Sequence, residues 1–251
     1  MTLRWIARSV ACAALALGGC GDVAPTDPLV ARGAQLARDP ASSRSRYNRF
    51  ACLTCHAERA TDVGARILPG AVLEGAARRA SYWGGEALYL REAVERCWVY
   101  FMRGVPEDLD GATGEALWAW LDALSPAATS ARAVPFTVPR TTRDLTGGDP
   151  ARGREVFGRA CASCHGAFGS SAPTLGRYVS RLPADSVNGH CRGRPPEGVP
   201  DLPTYLRMVV YQKTRHGGLL GYGGTMPPFS TEVLSEEALQ DIVALFRCPD
   251  G

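Results

Sequence analysis

The chain has 251 residues, 45% of them hydrophobic, and a formal net charge of +3 from 28 Lys+Arg against 25 Asp+Glu. That length holds one large domain or two of ordinary size, and the apolar fraction supplies packed cores, which excludes a disordered chain. The near-neutral charge excludes nucleic acid as a partner, and with Lys213 as the only lysine a lysine ring for docking other proteins is excluded too.

In chain order, an export signal comes first. Arg4 and Arg8 form a basic start, Val10 to Leu17 a short apolar stretch, and Leu17-Gly18-Gly19-Cys20 reads as a lipobox. The apolar run is shorter than the ~20 residues that cross a bilayer, so a transmembrane anchor is not expected. Residues 1–19 are therefore expected to be a lipoprotein signal peptide, Cys20 to carry lipid, and residues 20–27 to form a tether. The alternative is plain cleavage with Cys20 unmodified. On the first reading the protein is exported, lipid-anchored to a bacterial membrane, and faces the periplasm.

The rest of the chain repeats itself. Asp27-Pro28-Leu29-Val30-Ala31-Arg32-Gly33 resembles Asp149-Pro150-Ala151-Arg152-Gly153, each with an Asp cap and a Pro in the first helical turn. Both open an apolar-periodic helix that leads to a Cys-x-x-Cys-His. The first copy carries extra residues around Asp39 to Arg46, whose Arg, Ser and Pro content predicts a loop. Each copy also ends in an amphipathic helix. Thr113 is the expected cap of a helix over Glu115 to Leu124, and Ser235 of one over Glu236 to Phe246. No segment alternates at period two for long, so the expected fold is all-α. Domains are expected at 28–126 and 148–251, joined by a Pro/Thr/Gly-containing linker over 127–147.

Cys52-Leu53-Thr54-Cys55-His56 and Cys161-Ala162-Ser163-Cys164-His165 carry the chemistry. Two thiols at this spacing reach both vinyl groups of a haem, and the adjoining imidazole ligates iron. Zinc would need further Cys or His pairs at finger-like spacing, and only His190-Cys191 lies loosely nearby. A thioredoxin-type redox pair would need a βαβ setting that the pattern lacks. The cofactors expected are thus two covalently bound haem c. Of nine cysteines, Cys12 leaves with the signal, Cys20 takes lipid and four belong to the haem motifs. In an oxidising compartment the economical pairing of the rest is a Cys191–Cys248 disulfide, with Cys97 left alone.

Both halves resemble class I cytochrome c domains. The resemblance implies a proline-containing loop that supports the motif histidine through a backbone carbonyl; Pro173-Thr174-Leu175-Gly176 and Pro69-Gly70 fit it. It also implies a distal methionine before the last helix. In the second half that is Met226, in Thr225-Met226-Pro227-Pro228-Phe229, whereas Met208 in an apolar helix reads as core. In the first half Met102 or Cys97 is the candidate. On a straight helix these two point about 140° apart, so both cannot face one iron. Met102 is the ordinary ligand of such a fold and is favoured. The stretch around Cys97 is, however, similar to diheme thiosulfate dehydrogenases, in which a cysteine thiolate ligates the active-site haem. His190 and His216 read as surface histidines.

The function expected from this is single-electron transfer between periplasmic or membrane redox proteins, with iron ligands His56, Met102, His165 and Met226. The alternative is a thiosulfate dehydrogenase-like oxidoreductase acting on a small sulfur compound at a Cys97-ligated first haem. Arg96 and Arg103 would then be its anion contacts.

Overall fold

The computed structural model describes residues 27–127, 132–172, 174–220 and 224–249. The expected signal peptide and Cys20 lie outside the described residues, as does Pro173. Among the described residues the chain is all-α, and its one β-type pairing is an isolated bridge between Tyr82 and Ala87. In chain order the helices are α1 (Pro28–Arg38), α2 (Cys52–Cys55), α3 (Leu90–Tyr100), α4 (Ala112–Ala123), α5 (Pro150–Ala160), α6 (Ala162–His165), α7 (Ala184–His190), α8 (Leu202–His216) and α9 (Glu236–Val243). Among them none is long and apolar enough to cross a membrane.

The capping residues explain most of the helix starts. The Asp27 carboxylate accepts from Leu29 N–H and the Asp149 carboxylate from Ala151 and Arg152 N–H, each beside a Pro in the first turn. Ser235 Oγ accepts from Ala238 N–H at 3.1 Å and opens α9. Thr113 caps nothing: α4 begins at Ala112 behind Gly111, with no side-chain cap. Its start is set by packing instead, because Gly114 and Ala116 are buried there.

Two cores correspond to the two copies. The first gathers Leu36, Phe50, Trp98, Met102, Leu109, Leu117, Trp120, Leu121 and Leu124. The second gathers Phe157, Leu206, Val210, Tyr211, Phe229, Leu239, Ile242, Val243 and Phe246. Burying each such side chain contributes about 1.5–3 kcal/mol, which is what holds α1 on α4 and α5 on α9. Both crossings depend on one glycine. A Cβ at Gly33 would lie 2.0 Å from Ala116 O, and one at Gly153 would lie 2.0 Å from Asp241 O. The repeat seen as Arg32-Gly33 and Arg152-Gly153 is therefore a repeated point of helix contact.

The second half is also cross-linked. Cys191 and Cys248 form a disulfide with Cα atoms 5.4 Å apart, tying the end of α7 to the residues after α9. Closing a loop of 57 residues in the unfolded chain is worth about 4 kcal/mol on the chain-entropy account.

The halves touch directly. Ile67 N–H donates to Arg159 O at 3.0 Å, and Arg159 Nε donates to Ala65 O at 2.8 Å. Part of the connecting segment is held against the second half. Thr137 donates from N–H (2.9 Å) and Oγ1 (2.5 Å) to the Glu232 carboxylate, while Pro139 O lies 2.6 Å from His216 Nε2. His216 is thus fully buried, contrary to the surface position expected of it. His190 is half-buried, edge-on to the Tyr205 ring at 5.3 Å.

Candidate haem site

The first motif is delivered by the loop that sequence composition marked between Asp39 and Arg46. Part of it winds into a 3-10 turn, Pro40–Ser43, and buried Asn48 organises the remainder. Asn48 Nδ2 donates to Pro40 O (2.7 Å), Ser43 Oγ (3.1 Å) and Phe50 O (2.7 Å), and its Oδ1 accepts from Phe50 N–H (2.7 Å). These bonds fix the entry into α2, a single turn that carries Cys52 and Cys55. In the second half α5 runs almost directly into α6, with Cys161 between them.

Each motif histidine is oriented in the same way. Nδ1 of His56 lies 2.6 Å from Ala71 O, and Nδ1 of His165 lies 2.8 Å from Ser180 O. A carbonyl can only accept, so each Nδ1 carries the proton and each Nε2 is left with a free lone pair. Burial lowers both imidazole pKa values, keeping the rings neutral as a metal requires. Gly70 is part of this arrangement: a Cβ there would be 2.3 Å from His56 Cε1, so only glycine lets the supporting strand pass so close to the ring.

In the first half, then, the supporting carbonyl follows Pro69-Gly70 directly. In the second half Thr174, Leu175 and Gly176 do not reach His165; Leu175 N–H bonds Cys164 O at 2.8 Å instead, and Ser180 supplies the carbonyl. The expected loop is corrected accordingly. Both acceptors lie fifteen residues beyond their histidine, so chain length to the ring is what the halves share.

The first motif opens on a predominantly apolar cavity. Cys52, Cys55 and His56 form one side, and Leu73, Leu90, Val94, Leu117 and Trp120 supply apolar walls. Cys97 and Met102 both line it. The straight-helix geometry that set them apart does not apply, because α3 ends at Tyr100. Beyond it Met102 N–H folds back to Cys97 O (3.2 Å), and Arg103 turns the chain with φ of +55°. Met102 is packed into the first core at 3% exposure; Cys97 is half-buried, and burial pushes its thiol up to about 12. Burial likewise pushes Cys52 up to about 11 and Cys161 up to about 12.

The anion contacts expected at Arg96 and Arg103 are not in this cavity. Arg96 is tied to Glu92 (2.8 Å) and Glu86 (3.3 Å), and Arg103 donates to Gly224 O (2.9 Å). The arginine that does line the wall is Arg79, which donates to Val72 O. Its cation is destabilised by burial, an effect that Tyr82 opposes. Two aromatic contributors were also missed. Trp83, with φ of +53°, stacks on Phe101 at 6.2 Å, and Phe136 of the linker meets Trp83 edge-on at 5.2 Å. The Trp83-Gly84-Gly85 run was the available signal: Gly84 has φ of +68°, and a Cβ on it would come 2.6 Å from Phe136 O. Pro227, Pro228, Ser230 and Val233 complete the lining from the second half.

In the second half Met226 packs against the second core, as Cys161, Ala162, Phe168 and Leu182 also do. Its loop is clamped from behind. Fully buried Arg215 donates to Phe229 O, Ser230 O and Leu234 O (3.1, 3.1 and 2.6 Å) and pairs with Glu236 at 3.1 Å. Gly217, with φ of +52°, lets Met226 O approach to 2.2 Å from where a Cβ would be. Met208 sits half-buried on α8.

Both motifs fit a covalently held haem by their paired thiols and an imidazole with Nε2 free, and the first has an apolar cavity beside it as well. A zinc site is not supported, since among the described residues no group of three or more His, Cys, Asp or Glu comes together to hold a metal ion.

Comparison with known proteins agrees with this class of site. Residues 148–245 match the family model described as cytochrome c oxidase, cbb3-type, subunit III, a likeness confined to the second half of the chain. The chain is 28% identical over 154 residues to a thiosulfate dehydrogenase of Stutzerimonas stutzeri (strain A1501), a match over 60% of this chain and 50% of that protein. A solved thiosulfate dehydrogenase of Marichromatium purpuratum is 20% identical with a TM-score of 0.42, covering 90% of this chain and 47% of that one. The chain thus spans about half the length of the relatives it matches.

Proposed function

We propose that the chain is an exported diheme c-type cytochrome that carries single electrons between periplasmic or membrane redox proteins. The observation that carries this reading is the repeated motif geometry, with each imidazole held at Nδ1 by a carbonyl and offered at Nε2 beside two thiols. Haem supplies the one-electron chemistry when bound. The residues of this chain attach it through Cys52, Cys55, Cys161 and Cys164, orient His56 and His165 toward iron, and exclude water with the apolar walls. Met102 and Met226 are the sixth ligands on this reading, and with both positions filled no iron is left open to a substrate. Lipidation at Cys20 would keep the protein at a membrane.

The test is intact-mass and pyridine-haemochrome analysis of protein matured in a host with haem-ligation machinery. Two added haems are expected; one or none overturns the reading.

A second reading is favoured by Cys97, which lines the same cavity as His56, and by the likeness to thiosulfate dehydrogenase. Here Cys97 would ligate the first haem, and the protein would oxidise a small sulfur compound. The oxidised protein decides between them. If Met102 is the ligand, Met102→Ala abolishes one far-red methionine–iron band and Cys97→Ala leaves the spectrum unchanged. Loss of a low-spin thiolate EPR signal in Cys97→Ala would instead assign Cys97 as the ligand, as the second reading requires, and thiosulfate-dependent reduction of the haem would then test the activity.

A further inference from the structure

We propose that Arg46, Tyr47, Arg49, Arg177 and Tyr178 form a docking surface for an acidic, electron-accepting protein. The inference rests on the electron-transfer reading above and adds where the electrons leave.

The patch is built from two segments, each joined to a haem motif. Arg177 and Tyr178 lie between Leu175, whose N–H bonds Cys164 O at 2.8 Å, and Ser180, whose carbonyl holds His165. Arg46, Tyr47 and Arg49 flank Asn48, the residue that fixes the entry into Cys52. The two segments adjoin, since a Cβ on Gly176 would be 2.9 Å from Arg49 Cγ. Cys164 and Leu175 meanwhile pack against the first core. The patch therefore covers the seam where the two haem-attachment segments meet.

Its electrostatics differ from those of neighbouring arginines. Arg38, Arg78, Arg91 and Arg96 are paired with carboxylates, and Arg44 reaches Asp108 at 4.0 Å. Arg46, Arg49 and Arg177 are exposed and have no carboxylate partner among the described residues. Arg46 instead stacks on Tyr47 with Cζ 4.9 Å from the ring centre, and Arg177 stacks on Tyr178 at 4.5 Å. Both tyrosines are largely exposed, at 55% and 70%. Stacking presents the guanidinium groups in fixed planes, and exposed Tyr and Arg are the side chains that dominate protein–protein recognition. Three uncompensated cations select a partner of negative surface charge.

The experiment is stopped-flow oxidation of the reduced holoprotein by an acidic plastocyanin, with a basic mitochondrial-type cytochrome c as control. For the acidic probe, the triple variant Arg46→Glu, Arg49→Glu, Arg177→Glu should lower the second-order rate constant at low salt by ~10–100-fold and remove its decline with ionic strength. It should raise the rate with the basic probe and leave the optical spectra as they were. Unchanged rate and salt dependence with plastocyanin would overturn the proposal. So would loss of binding to anionic lipid vesicles by the triple variant, measured on mature Cys20→Ser holoprotein, because the patch would then serve the membrane. A parent protein that small-molecule reductants cannot cycle would sink the electron-carrier reading itself, before any partner is mixed.

Discussion

At position 70 a single methyl group would have nowhere to go, since the His56 ring lies 2.3 Å from where a Cβ would stand. The ring is held at Nδ1 by the carbonyl of Ala71, the residue next to Gly70, so the ring cannot retreat without straining that bond. Gly70→Ala should therefore tilt the imidazole, cost about 1–3 kcal/mol of overpacking, and shift the potential of the first haem while sparing the second. Redox titration of the holoprotein measures both, and an unmoved pair of potentials would refute the role given to Gly70. Arg215 stands at the opposite extreme, a charge paired and hydrogen-bonded in full burial. Removing it leaves the Met226 loop without its clamp and buried carbonyls without a donor, so Arg215→Met should lower stability by roughly 3–5 kcal/mol in denaturant melts.

Among the elements, the helix crossings are the most demanding contacts. Gly153→Ala would press a methyl into Asp241 O, a backbone atom that cannot rotate away. A loss of at least ~1–3 kcal/mol is expected, with the same result for Gly33→Ala at the α1–α4 crossing. The α5–α9 pair is also joined by charge. Asp241 accepts from Arg152 Nε (2.9 Å) and Nη2 (3.1 Å) and from Asp149 N–H (2.7 Å). The Arg152 hydrogen bonds hold its carboxyl below the usual range against the opposing effect of desolvation. A carboxyl with a depressed folded pKa contributes stability above its unfolded value, near ~3.9, and loses it as the pH falls through the folded value. Acid titration of unfolding should therefore show an acid-side decline that is shallower in Asp241→Asn, which lacks this linkage. Equal slopes in the two proteins would refute it.

Across the whole molecule, the first cavity is not a property of the first half alone. Val134, Pro135 and Phe136 of the connecting segment and Pro227 and Pro228 of the second half line it. Thr137 holds that segment to Glu232: desolvation would raise the Glu232 pKa, but hydrogen bonds, those from Thr137 foremost, together lower it to about 2. Phe136→Ala removes the edge contact with Trp83, worth about 0.5–1.5 kcal/mol, and opens the wall. Binding of exogenous imidazole to the first haem should then be at least ~10-fold faster, measured optically. An unchanged rate would mean that Phe136 does not restrict access.

The candidate haem motifs were legible in the chain because Cys-x-x-Cys-His is local: three side chains within five residues need no tertiary context to be brought together. The Asp-Pro helix starts, the Ser235 cap and the all-α class were legible for the same reason, since each depends on neighbours a few positions away. Cys191 and Cys248 could be matched by counting cysteines, although only folding brings them to a Cα separation of 5.4 Å. What shares a cavity was decided by tertiary structure. Cys97 and Met102 were separated by the angles of a straight helix until the end of α3 and the turn at Arg103 brought both to one wall. Arg79 and Phe136 carried no signal in their own neighbourhoods, because their surroundings are assembled from segments far apart in the chain, and at Trp83 the only local sign was the Gly84-Gly85 pair that follows it. His216 looked like a surface residue for the same reason: its partner is a carbonyl 77 residues away.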